Sequence, residues 1–215
     1  RRYLGDAWTR YLLSFVDGDS RLVMKHPGVD NNDTTFNYFP DAHMIILTRD
    51  GRDIVSSALK AGFVVPRRWS ITRPWKLRHL LAGSDFRVLC KMYSRAASDL
   101  VRFRDLPVAS RYSDQIHELR YEDLVADRVS MTRALLTGLG LDHDRYDWEG
   151  LEQLGVRGSS YIRTETGAMN FGSNVEVGAE FQPIGRWADW SSSQRRTFDR
   201  VAGAAMRLLG YDYSW

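Results

Sequence analysis

The chain has 215 residues, 43% of them hydrophobic, enough for one α/β domain with a sizeable core. No run approaches the roughly 20 apolar residues of a membrane span, and the single cysteine, Cys90, excludes an internal disulfide framework. The net charge is only +3 with acids and bases interspersed, which argues against a nucleic-acid-binding surface.

Arg1-Arg2-Tyr3 leads straight into an amphipathic pattern rather than a signal peptide. Asp6 to Val16 reads as a helix with Trp8, Tyr11, Leu12 and Phe15 on one face. Arg21 to Lys25 reads as a short strand, stopped by His26-Pro27-Gly28. Asp30 to Tyr38 is polar and is expected to be irregular or briefly helical. Ala42 to Thr48 is the clearest strand, a continuous apolar run of the kind covered on both faces. Arg49-Asp50-Gly51-Arg52 forms a turn, and Asp53 caps a helix reaching about Gly62 with Ile54, Val55, Ala58 and Leu59 inward. Residues 64–84 are rich in Arg and Trp and weakly periodic, so they read as an excursion or lid.

Asp85 to Asp105 is a strong helix, with Phe86, Leu89, Cys90, Tyr93, Ala97 and Leu100 on one side. Cys90 therefore reads as a buried structural thiol. Gln115 to Tyr121 is a second strand, and Glu122-Asp123-Leu124 starts a helical segment. Val129 to Leu139 is a further helix, and Leu151 to Gly178 reads as a long Gly-rich loop. Ser191 and Gln194 form a capping box for a last helix that buries Phe198, Val201, Ala202, Ala205, Leu208 and Leu209 and ends at Gly210. Strands alternating with helices predict an α/β fold, a parallel sheet with helices on both faces, in one domain over 1–215.

The most informative block is strand–turn–helix, Met44 to Gly62. Ligands of open α/β sheets lie beyond the carboxyl ends of the strands. Arg49 stands at that end, and the next helix offers unpaired N–H groups and the Ser57 hydroxyl. Together these suit a phosphate. The alternative is that Arg49 pairs with Asp50 or Asp53 and that Ser57 merely packs. Arginine makes up 26 of the 30 basic residues, and its forked donors suit oxyanions, although a GC-rich genome also accounts for the excess.

Arg49 and Ser57, eight positions apart, resemble the 3′-phosphate motif of the PAPS-dependent sulfotransferases, where PAPS is 3′-phosphoadenosine 5′-phosphosulfate. Gly51 replaces the family's common Pro. Leu119 to Asp127 resembles its Tyr-Glu-Asp-Leu segment, which implies that Tyr121 lies by the adenine; alone, Tyr121 would read as a core aromatic. Phe181 to Trp190 resembles the late loop over the 3′-phosphate, which implies roles for Gln182, Ile184, Gly185 and Arg186. Phe181-Gln182-Pro183 stands where the family often has Arg-Lys-Gly. Leu22 to Gly28 resembles the Lys-containing segment upstream, making His26 a candidate base and Lys25 a candidate stabiliser of the leaving oxygen; His26 reads equally as a turn histidine. His43 reads as structural and His117 as either.

The resemblance implies a P-loop NTPase-like architecture, PAPS as donor, PAP (adenosine 3′,5′-bisphosphate) as product, no metal, and a hydroxyl acceptor on a small molecule or carbohydrate. The family's first strand, 5′-phosphosulfate loop and helix have no match before Trp8, so that cradle is expected from residues preceding Arg1, with another chain as the alternative source. Residues 64–84 would then lie on the acceptor side, with Trp69 and Trp75 as stacking surfaces for the acceptor or, equally, as core. One cysteine fits a reducing compartment and a cytoplasmic location. The competing implication is a non-catalytic module of the same fold that holds PAP or a glycan.

Overall fold

The computed structural model describes residues 1–15, 21–26, 28, 32–60, 85–153, 161–163, 169–171, 182–212 and 214–215. In chain order these form α1 (Arg2–Leu13), α2 (Asn32–Tyr38), β1 (Met44–Thr48), α3 (Gly51–Lys60), α4 (Asp85–Arg104), α5 (Pro107–Arg111), β2 (Ile116–Arg120), α6 (Tyr121–Ala126), α7 (Arg128–Gly138), α8 (Trp148–Gln153), β3 (Tyr161–Arg163), β4 (Met169–Phe171) and α9 (Ser192–Phe198). A π-helical stretch, Asp199–Gly203, joins α9 to α10 (Ala204–Leu208).

β1 and β2 pair in parallel, Met44 opposite Ile116 and Thr48 opposite Arg120. A parallel pair needs a long crossover, which here carries α3, α4 and α5. The class is therefore α/β, as the alternation of elements predicts. β3 and β4 form a separate antiparallel pair.

The core grows from the helical period of α4. Phe86, Leu89, Cys90, Tyr93, Ala97, Leu100 and Phe103 all lie on one buried stripe. That stripe packs against α3 and the α9–α10 arm, meeting Val55, Phe198, Ala202, Ala205 and Met206, with Ile46 from the sheet. Each large side chain buried this way contributes about 1.5–3 kcal/mol. Burial pushes the Cys90 thiol up to about 12, so it stays protonated, as expected of a structural cysteine.

Several local expectations need correction. Arg21 to Lys25 is exposed and pairs with no strand among the described residues, because charged and apolar residues there find no partner edge. β1 alternates, with Ile46 and Thr48 buried but Ile45 and Leu47 46% and 53% exposed. The described residues thus cover only one face of β1; at β2, α7 brings Gly138 against His117 on the other. Tyr121 opens a helix instead of ending a strand. α8, β3 and β4 interrupt the expected loop from Leu151 to Gly178. Ile54 is exposed, and Met206 replaces Leu208 in the terminal stripe. The π-helical stretch slows the helical rotation just before Met206, which accounts for that change of face. The Ser191–Gln194 capping box forms as expected.

Candidate functional site

The site begins where the two parallel strands stop. Thr48 and Arg120 are register partners, so the residues that follow them, Arg49 and Tyr121, emerge side by side at the carboxyl edge. The Arg49 guanidinium lies 4.3 Å from the centre of the Tyr121 ring, a cation–π contact that orients both.

α3 starts immediately afterwards, and its cap is Asp50 rather than Asp53. Asp50 Oδ1 accepts from the Arg52 N–H at 2.8 Å, while the Asp50 N–H donates to Glu122 Oε1 at 2.8 Å. Gly51 is required by close approach, since a Cβ there would sit 2.3 Å from the Tyr93 ring. This packing accounts for the glycine at position 51. Arg52 turns back onto Asp50 through Nε and Nη2, and its guanidinium lies 3.9 Å from the Trp187 ring.

The last component arrives from far along the chain. Arg49 donates to the Pro183 carbonyl. Asp53 Oδ2 accepts from the Gly185 N–H at 3.1 Å and Oδ1 from the Arg186 N–H at 2.7 Å. The Arg186 Nη1 donates to the Ser57 hydroxyl at 2.9 Å. Gly185 has φ +79°, the left-handed turn that lets the loop fold back over α3. Three segments distant in sequence, the β1–α3 unit, the start of α6 and the late loop, thus bring Arg49, Ser57, Tyr121, Gly185 and Arg186 together.

The electrostatics favour an anion. Burial lowers the Arg186 pKa, the Arg49 charge lowers it further, and Asp53 works against both. Arg49 Nε is buried and has no hydrogen-bond partner among the described residues. Two guanidinium groups, one orphan donor and a hydroxyl are what a phosphate dianion can satisfy.

Beyond this geometry, the Sulfotransferase family model matches residues 2–145, more than half of the chain. The chain belongs to the sulfotransferase family. No curated protein and no solved structure matches it. The matched residues include β1, α3, β2 and Tyr121, whereas the loop carrying Gly185 and Arg186 lies beyond them.

Gln182 and Ile184 sit on the same loop with exposed side chains. Lys25 and His26 are exposed, and the His26 Nδ1 lies 2.8 Å from the Gly28 carbonyl oxygen. Trp69 and Trp75, with the excursion 64–84, fall outside the described residues. His43 and His117 bond to each other, Nδ1 to Nε2, at 2.9 Å. Among the described residues, no group of three or more His, Cys, Asp or Glu could hold a metal ion. Among the same residues, no helix is long and apolar enough to cross a membrane.

Sequence reasoning missed Asp53. The R-D pair after a turn reads as a helix start, and the partners of Asp53 lie 132 and 133 positions further on. No local pattern carries that information.

Proposed function

We propose that this sulfotransferase takes its sulfuryl group from PAPS and delivers it to a hydroxyl of a small molecule or glycan, on a P-loop-like frame. The convergence of Arg49, Ser57 and Arg186 beside the Tyr121 ring carries the reading. The buried orphan donor of Arg49 supports it, because a bound phosphate oxygen would satisfy that donor.

In this reading Arg49, Ser57 and Arg186 hold the 3′-phosphate. Gln182, Ile184 and Gly185 supply the loop that covers it, and Tyr121 lies along the adenine. The acceptor oxygen attacks the sulfur in line, forming the new S–O bond as the bond to the 5′-phosphate breaks. PAP leaves with the electron pair. His26 takes the acceptor proton, a task suited to imidazole near neutral pH, and Lys25 stabilises charge on the departing oxygen. Losing such an oxyanion stabiliser costs about 2.7–4 kcal/mol in the barrier. Trp69 and Trp75 are proposed to stack on the acceptor.

Calorimetric titration with PAP, together with PAPS consumption across hydroxyl acceptors, tests the reading. PAP should bind more tightly than adenosine 5′-monophosphate, which lacks the 3′-phosphate, and His26→Ala should abolish most turnover. Binding of PAP without any PAPS consumption would make the protein a non-catalytic module. Indifference to PAP would overturn the assignment altogether.

A further inference from the structure

We infer that Asp53 is a positioning residue for the anion site, fixing the Gly185–Arg186 backbone so that the Arg186 guanidinium is delivered to Ser57. The inference rests on the reading of Arg49, Ser57 and Arg186 as the phosphate-binding group.

Asp53 has 0% relative exposure. A carboxylate is tolerated at such a place only when its oxygens are satisfied. Both are, by two consecutive backbone amides: Gly185 N–H at 3.1 Å and Arg186 N–H at 2.7 Å. Gripping two adjacent amides fixes the intervening peptide plane, and with it the direction in which the Arg186 side chain departs. Asp53 and Ser57 are four residues apart on α3 and share a face. One stripe of that helix therefore holds the loop twice, by its backbone at Asp53 and by its guanidinium at Ser57.

The charge of Asp53 matters alongside its shape. Arg49 and Arg186 repel each other, and the carboxylate offsets that repulsion from inside the protein. Asp53 would repel a bound phosphate, so it acts through the cations and not on the ligand. A carboxylate is also the only close isostere with two acceptors, because asparagine would turn an NH2 donor toward one of the amides.

The experiment uses Asp53→Asn and Arg186→Ala, singly and combined, in the whole chain. Affinities for PAP and adenosine 5′-monophosphate are measured by calorimetry, and amide exchange at Gly185 and Arg186 in the absence of nucleotide. Asp53→Asn is expected to weaken PAP about tenfold while leaving the monophosphate within about twofold, and to cause no further loss once Arg186 is alanine. The two amides should exchange about tenfold faster. An equal loss of PAP affinity on the Arg186→Ala background overturns the proposal, and so does unchanged exchange. If Asp53→Asn does not fold, Arg186→Ala carries the test. PAP affinity should fall while both amides stay protected, and loss of that protection refutes the clamp. A wild-type protein that does not distinguish the two nucleotides overturns the phosphate-site reading instead, and exchange alone then decides whether Asp53 holds the loop.

Discussion

Replacing Arg52 by methionine should remove one of the largest single local contributions to stability near the site. Arg52 and Asp50 form an ion pair at 2.7 Å with side chains only 9% and 10% exposed. The guanidinium makes a second contact through Nε, at 3.1 Å to each carboxylate oxygen. It also stacks on Trp187 and donates to the Ser214 carbonyl at 3.3 Å, tying α3 to the chain's last residues. Methionine keeps most of the apolar stem. What is lost is the charge, and the Asp50 carboxylate is left buried without its cation, keeping the backbone N–H of residue 52 as a donor. Breaking a buried pair from one side costs about 3–5 kcal/mol, equivalent to roughly 6–20 °C in Tm for a domain of this size. Urea unfolding of Arg52→Met should show that loss as a lower midpoint at unchanged slope. Adding Asp50→Asn removes the stranded charge but retains a side chain able to cap α3, so the double variant should recover at least half of the loss. A single-variant loss below about 1 kcal/mol would refute the reasoning. So would a double variant no better than the single, because the effect would then come from the tryptophan packing.

Arg49→Ala should weaken PAP binding about 10–100-fold, the worth of hydrogen bonds to a charged group, with little change in the urea midpoint; an affinity within twofold of wild type would remove Arg49 from the site. Gly51→Ala should cost about 1–3 kcal/mol by urea unfolding, because the new Cβ meets the buried Tyr93 ring. Tyr93→Leu on that background should lose less than it does alone. Burial, and secondarily the charge of His43, hold the His117 pKa below its usual 6.5. The unfolded chain then binds a proton that the fold resists, so stability is full above about pH 6.5 and falls as pH drops through that value toward the folded pKa. The urea midpoint should decrease between about pH 7.5 and about pH 5.5, and decrease less in His117→Gln.

The parts of this protein legible in its sequence are those that depend on near neighbours. The apolar run at Met44–Thr48, the seven-residue stripe of α4 and the Ser191–Gln194 box each declare themselves within one or two turns. Arg49 and Ser57 could be singled out for the same reason, since a strand end and the next helix form one local unit. The strand expected at Arg21–Lys25 failed because strand pairing needs a partner edge, which a five-residue pattern does not contain.

Periodicity and the alternation of elements determined that the chain is α/β and that Cys90 is a buried structural thiol, whereas the anion proposed at the end of β1 rested on the family resemblance. The tertiary structure decided which groups gather around Arg49. Asp53 became a clamp and not a cap, and Arg186 became a second cation, because packing α3 under a loop more than 120 residues away set amide donors against a buried carboxylate. A dry carboxylate takes whatever donors the fold brings within reach, and that choice is made by the approach of distant chain segments and not by the residues beside it.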